Sequence, residues 1–150
     1  MSAFGTRYLV DTNALSQLGR QRRASNFFRA NVMIPSEVLH EADGFPDVEA
    51  LKQIEYTTTP SVLRWLVTVM ATVPPDDTDL INLYLNHGSA DPLMVACALD
   101  ARDRETQHLD PLEWVIVTDD KAVKAKVGEF KVRGLTYAQL ADLIDRIEST

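Results

Sequence analysis

Cysteine is nearly missing from this chain. Cys97 stands alone, so no disulfide can form within it, and a thiol-poor sequence suits a reducing compartment. Histidine is scarce as well: His40, His87 and His108 do not have the spacing of zinc ligands. No long apolar run is present. The longest apolar-rich stretch, residues 62–73, is too short to span a bilayer and carries Arg64. The first residues, MSAFGTRYLVDTNAL, have neither the basic start nor the apolar core of a signal peptide. Excess positive charge is also absent, with 15 basic against 22 acidic residues and a net charge of −7. A protein that coats nucleic acid without specificity is normally basic, because phosphate neutralisation dominates such binding. Carboxylates gathered in one pocket escape this argument, since the cations they bind can face phosphates in their place. We therefore expect a soluble, cytoplasmic protein with no membrane partner.

The chain has ample material for a core. Its 150 residues are 45% hydrophobic and 25% charged, as in an ordinary single globular domain. Short β-prone runs occur at residues 8–10, 32–34 and 114–117, with a further short strand expected near 130–132. Helical stretches fall between them. One is expected from Thr12 to a stop at Gly19, another over 20–31, and one after Pro35 with Ser36 as its cap. Further helices are expected over 46–54, over 61–72 after Pro60, over 76–86 and from Asp91-Pro92 to about Arg104. One more follows Asp120, and a last spans 137–147. Strands alternating with helices predict an α/β fold in three layers, a twisted parallel sheet with helices on both faces.

The positions of the acids carry the functional signal. Asp11 directly follows the first strand, and Asp119 and Asp120 follow the strand at 114–117 after Thr118. In open parallel sheets, ligands bind at the carboxyl ends of strands. Glu41 lies on the helix after the second strand, and Asp91 opens another helix. Convergent carboxylates suit a hard divalent cation, and such ions help to hydrolyse phosphodiesters by stabilising the charge that gathers on attack and departure. Each acid also has an ordinary use. Asp11, Asp91, Asp119 and Asp120 are all plausible helix caps, and Glu41 an exposed helix residue.

Four segments, LVDTNAL at 9–15, IPSEVLHEA at 34–42, ADPLMVACAL at 90–99 and VIVTDDKAV at 115–123, together resemble the PIN-domain nucleases, including the VapC-type toxins of toxin–antitoxin pairs. The segment at 44–88 matches only as a helical stretch of suitable length. The resemblance implies metal-dependent hydrolysis of RNA phosphodiesters, with Mg2+ or Mn2+ as cofactor. It implies Asp11, Glu41, Asp91 and Asp120 as the catalytic set. Asp11, Asp91 and Asp120 would bind metal, Asp119 and Glu41 are further candidate ligands, and Asn13 and Thr118 would order the pocket. The family often has asparagine where Asp119 stands, Pro92 after Asp91 is less usual, and Glu37 competes with Glu41 for the glutamate role. An RNA substrate, an antitoxin protein and a homodimer are the partners this resemblance raises.

The remaining features divide between functional and ordinary readings. Arg22 and Arg23, in the basic cluster from Arg20 to Arg29, and Lys121 after Asp120, are candidate RNA contacts or simply solvated charges. Cys97 is expected to be a buried small hydrophobe, and Trp114 to pack in the core. The helix bearing Trp65 is expected to pack in the core or to offer a partner groove. Four other functions compete. A receiver domain would want paired acids after the first strand, where Asp11 stands alone and the pair Asp119 and Asp120 comes late. A PIN-fold module could bind RNA or protein without cutting, and a related nuclease could act on DNA. A phosphatase of the haloacid dehalogenase type would need a second aspartate where Asn13 stands.

Overall fold

In the computed structural model, residues 5–72 and 90–149 are described, with the backbone alone at Ala90 and Asp91. Five strands form one parallel sheet: β1 (Thr6–Val10), β2 (Val32–Pro35), β3 (Glu55–Tyr56), β4 (Glu113–Val117) and β5 (Arg133–Leu135), in the order β3-β2-β1-β4-β5. The helices are α1 (Thr12–Arg23), α2 (Asn26–Asn31), α3 (Ser36–Glu41), α4 (Val48–Leu51), α5 (Pro60–Ala71), α6 (Ala90–Glu105), α7 (Lys121–Glu129) and α8 (Tyr137–Glu148). The architecture is the expected three-layer α/β fold, with helices on both faces of the sheet. The helix expected at 76–86 lies outside the described residues.

Burial on both faces explains the composition of the central strands. Tyr8, Leu9 and Val10 of β1 and Val115, Ile116 and Val117 of β4 are all buried, as continuous apolar runs in parallel sheets require. α1 and α2 pack with α8, while α6 packs with α5, α7 and the sheet. Between Pro92 and Leu99, α6 is apolar all round. Every residue from Leu93 to Leu99 is buried, because the sheet covers one side of the helix and α5 another.

Asp100, which follows this apolar stretch, is only 1% exposed. It accepts hydrogen bonds from the Tyr56 and Ser61 hydroxyls, both at 2.6 Å, and pairs with Arg104 at 3.3 Å. A buried carboxylate is tolerable only when its oxygens are satisfied in this way. The cluster ties α6 to the end of β3 and the start of α5. Cys97 is buried on the same helix, and that burial pushes its thiol pKa up to about 12, which suits a packing residue.

Several boundaries differ from expectation, each for a local reason. Gly19 breaks the helical path at φ 85°, but helix resumes through Arg23. α3 begins at Ser36 with Pro35 in the cap position. The Ser36 hydroxyl bonds to Glu55 (2.6 Å) and accepts from the Thr58 amide (3.1 Å), sewing α3 to the end of β3. The helix expected over 46–54 is one turn, α4, followed by a 3-10 turn. The last strand starts three residues late. Phe130, Lys131 and Val132 are used up in ending α7, with Lys131 left-handed at φ 61° and the Val132 amide bonded to the Val127 carbonyl at 2.9 Å. This is the pattern of a helix-terminating Schellman turn.

Among the described residues no helix is long and apolar enough to cross a membrane. α5 buries Val62 and Val69 and half-buries Trp65, Leu66 and Met70, while Leu63 and Val67 are exposed.

Arg23 closes the far end of α1. Its guanidinium makes a two-pronged pair with Asp47 (2.9 and 3.0 Å), donates to the Leu15 carbonyl (2.9 Å) and lies over the Phe45 ring. Both partners are mostly buried, at 7% and 14% exposure. Removing one member of a buried pair strands the other charge, so Arg23→Ala is expected to cost about 3 kcal/mol in urea denaturation. An unchanged urea midpoint would show that the pair adds no stability.

Candidate active site

The sheet order reverses between β1 and β4. Chain connections leave this point in opposite directions and open a crevice at the strands' carboxyl ends. Pairing in register sets Val10 beside Val117, so the next residues, Asp11 and Thr118, emerge side by side. The Asp11 amide donates to the Val117 carbonyl at 3.2 Å, which continues the ladder one residue beyond the strand.

Asp11 is 6% exposed. Its Oδ1 accepts the Ala14 amide at 2.8 Å and caps α1. The buried Thr118 hydroxyl accepts the Asp120 amide at 3.1 Å and lies near enough to the Asp11 carboxylate to favour its charged form. Asp120, half-buried, caps α7 with Oδ1 on the Ala122 and Val123 amides, at 2.9 and 3.1 Å. Asp119 turns toward the last helix and accepts the Tyr137 amide at 3.2 Å. The three residues after β4 thus reach three different elements: the Thr118 amide bonds to Leu135 of β5, Asp119 meets α8 and Asp120 meets α7.

Glu41 arrives from the other side. It is the last residue of α3, and its Oε1 accepts the Thr12 hydroxyl at 2.8 Å, one residue from Asp11. Glu37, its rival for the glutamate position, lies one turn earlier on α3, where its charge bears on Cys97 of α6. The backbone of Asp91 belongs to α6, and its side chain is outside the described residues. Asn13 is exposed in the first turn of α1, and Lys121 is exposed in the first turn of α7, immediately after Asp120.

Burial is the main reason that the Asp11 carboxyl sits above the usual carboxylate range. The charges of Asp119 and Asp120 add to the effect, and the nearby Thr118 hydroxyl and the Ala14 amide oppose it. A site of this kind favours a neutralising cation. Its donors are all oxygens, which fits a hard divalent ion such as Mg2+ or Mn2+. Among the described residues, no three Asp, Glu, His or Cys side chains are gathered closely enough to hold a metal ion. The Asp91 side chain lies outside the described residues.

Arg22 and Arg23 are not brought to this crevice. They occupy the opposite end of α1, where Arg22 makes a two-pronged pair with Asp145 of α8 at 3.0 and 2.9 Å and Arg23 pairs with Asp47. A cavity of about 470 Å³ lies at that end, lined by Arg20, Arg22, Asp145 and Glu148 among others, away from Asp11. Thr12 was not among the expected site residues. Its sequence position between Asp11 and Asn13 suggests a turn residue, and nothing local signals a partner on α3.

Neither family models nor curated proteins show a match to this chain.

Asparagine is nearly the same shape as aspartate and caps helices as well. Asp11→Asn therefore keeps the α1 cap while removing a buried negative charge. Because the folded-state pKa of Asp11 is raised, its ionisation opposes folding. That penalty is absent below the unfolded pKa and is fully present once pH has risen through the folded one. The variant is thus expected to melt higher than the parent at neutral pH in chelator, by about 2–4 °C for each kcal/mol relieved. The gain should shrink as pH falls through the carboxylate range. A lower melting point at pH 7 would contradict this electrostatic account.

Proposed function

We propose that this chain is a metal-dependent endoribonuclease of the PIN type, acting as the toxin of a toxin–antitoxin pair. The observation that supports the reading best is the meeting of Asp11, Thr118 and Asp120 at the β1–β4 switch point, with Glu41 joined through Thr12. In this reading Asp11, Asp91 and Asp120 hold the cation, and Glu41 either joins them or orients water. Mg2+ or Mn2+, when bound, supplies positive charge at the scissile phosphate and at the departing oxygen.

The chain's own residues supply the rest. The Glu41 carboxylate accepts a hydrogen bond from the attacking water and takes up its proton. The water oxygen bonds to phosphorus as the bond to the 3′ oxygen breaks. Thr118 and the Ala14 amide keep the Asp11 carboxylate oriented. Asn13 orders the rim, and Lys121 is placed to meet a backbone phosphate. An antitoxin would silence such a site by inserting an arginine, whose planar fork pairs well with clustered carboxylates. The same reading places the protein in the cytoplasm, with a homodimer as a further partner arrangement.

A second reading has one observation in its favour. Asp11 and Asp120 cap helices, and Asp119 bonds to the first amide of another. A binding module of the same fold would keep these acids for structure alone. The two readings separate in one assay, cleavage of a panel of labelled RNAs with Mg2+, with Mn2+ and with chelator. The nuclease reading expects metal-dependent cutting that falls by roughly 100-fold or more in each of Asp11→Asn, Asp91→Asn and Asp120→Asn. Intact folding with neither metal binding nor cutting would favour the module.

A further inference from the structure

We propose that Thr12 is a positioning residue, whose hydroxyl holds the Glu41 carboxylate beside Asp11 so that Glu41 faces the crevice. This rests on the functional reading in which Glu41 acts there. The two residues are 29 apart in sequence and lie on different helices, yet their side chains meet at 2.8 Å. They differ sharply in stiffness. Thr12 opens α1, directly after an aspartate whose amide is bonded to β4 and whose carboxylate caps the same helix. It is β-branched, so few rotamers are open to it. Glu41 is exposed at the last position of a six-residue helix. Its long side chain has much rotamer freedom to lose. A rigid donor here meets a flexible acceptor.

The backbone beneath Glu41 is firm. Ala42 is fully buried, and its amide bonds to the Val38 and Leu39 carbonyls. Only the side chain of Glu41 needs fixing. With Oε1 held by Thr12, the second oxygen of the carboxylate presents its lone pairs in a defined direction, toward water or a cation. Without the hydroxyl, Glu41 would sample many conformers at the protein surface. The bond also works in one direction. In this role Thr12 acts through Glu41, so its loss should cost no more than the loss of the Glu41 carboxylate itself.

The test uses the full chain with Thr12→Val, Thr12→Ser, Glu41→Gln and the double variant Thr12→Val/Glu41→Gln. Valine keeps the branched shape without the hydroxyl, and serine restores the hydroxyl. Thermal melting checks that each variant folds. In the metal-free protein, the carboxyl carbon resonance of Glu41 should move in Thr12→Val and return in Thr12→Ser. In single-turnover cleavage of labelled RNA with Mn2+, Thr12→Val should lower the rate roughly 10- to 100-fold, the scale expected of a misplaced group, with the RNA concentration for half-maximal rate little changed. Thr12→Ser should recover most of the loss. The double variant should be no slower than Glu41→Gln, because the two residues act as one. A parent that cuts and a Thr12→Val that cuts equally well, or losses that multiply in the double variant, would overturn the role of Thr12 alone. A Glu41→Gln that cuts like the parent would overturn this inference while metal-dependent cutting stands, and a parent that neither binds Mn2+ nor cuts RNA would overturn the functional reading and this inference with it.

Discussion

The parallel pairing of β1 with β4 is the constraint on which the rest depends. It sets Val10 against Val117 and passes the Asp11 amide to the Val117 carbonyl. Two polar side chains that are distant in sequence then leave the sheet together at its carboxyl edge. A slip of one residue would turn the side chains of the strand to the opposite faces. Close packing on both faces resists it, since every residue from Tyr8 to Val10 and from Val115 to Val117 is buried and a changed set of side chains would no longer fit. The core thus fixes the register, and the register assembles the crevice.

That assembly works against stability at one point. Asp11 is buried near two further negative charges. Helix ends soften the conflict. Asp11 and Asp120 each sit at the amino end of a helix, α1 and α7, whose exposed amides carry partial positive charge. Capping and site-building are therefore compatible uses of one side chain. The caps are made by a single oxygen of each carboxylate, while a carboxylate offers two oxygens and about four lone-pair positions.

The basic residues show how an acidic protein spends its few cations. Arg22 and Arg23 follow Asp11 closely in sequence, but a helix separates them from it. α1 carries them to the other end of the molecule, where Asp145 and Asp47 neutralise them. Arg22 binds α1 to α8, and Arg23 binds it to the segment ahead of α4. Lys121 is the cation from the expected set that remains beside the site acids, because it begins the helix that Asp120 caps.

The sequence by itself determined what depends on neighbours along the chain. Apolar runs marked β1, β2 and β4. Asp11 and Asp120 were recognisable as strand-end acids, because a strand's end and a helix's cap are local events. Local competition also explains the misplaced boundaries. The Phe130–Val132 run reads as a strand, yet it ends α7, and Ser36 reads as a cap, yet it bonds to β3. Only the tertiary structure decided which distant groups meet: Thr12 with Glu41, Asp119 with the Tyr137 amide, Arg23 with Asp47, and Tyr56 and Ser61 with Asp100. Those partners are chosen by strand order and helix packing. A hydrogen bond a few ångströms long is set by where two elements cross, and no pattern within either element encodes that crossing.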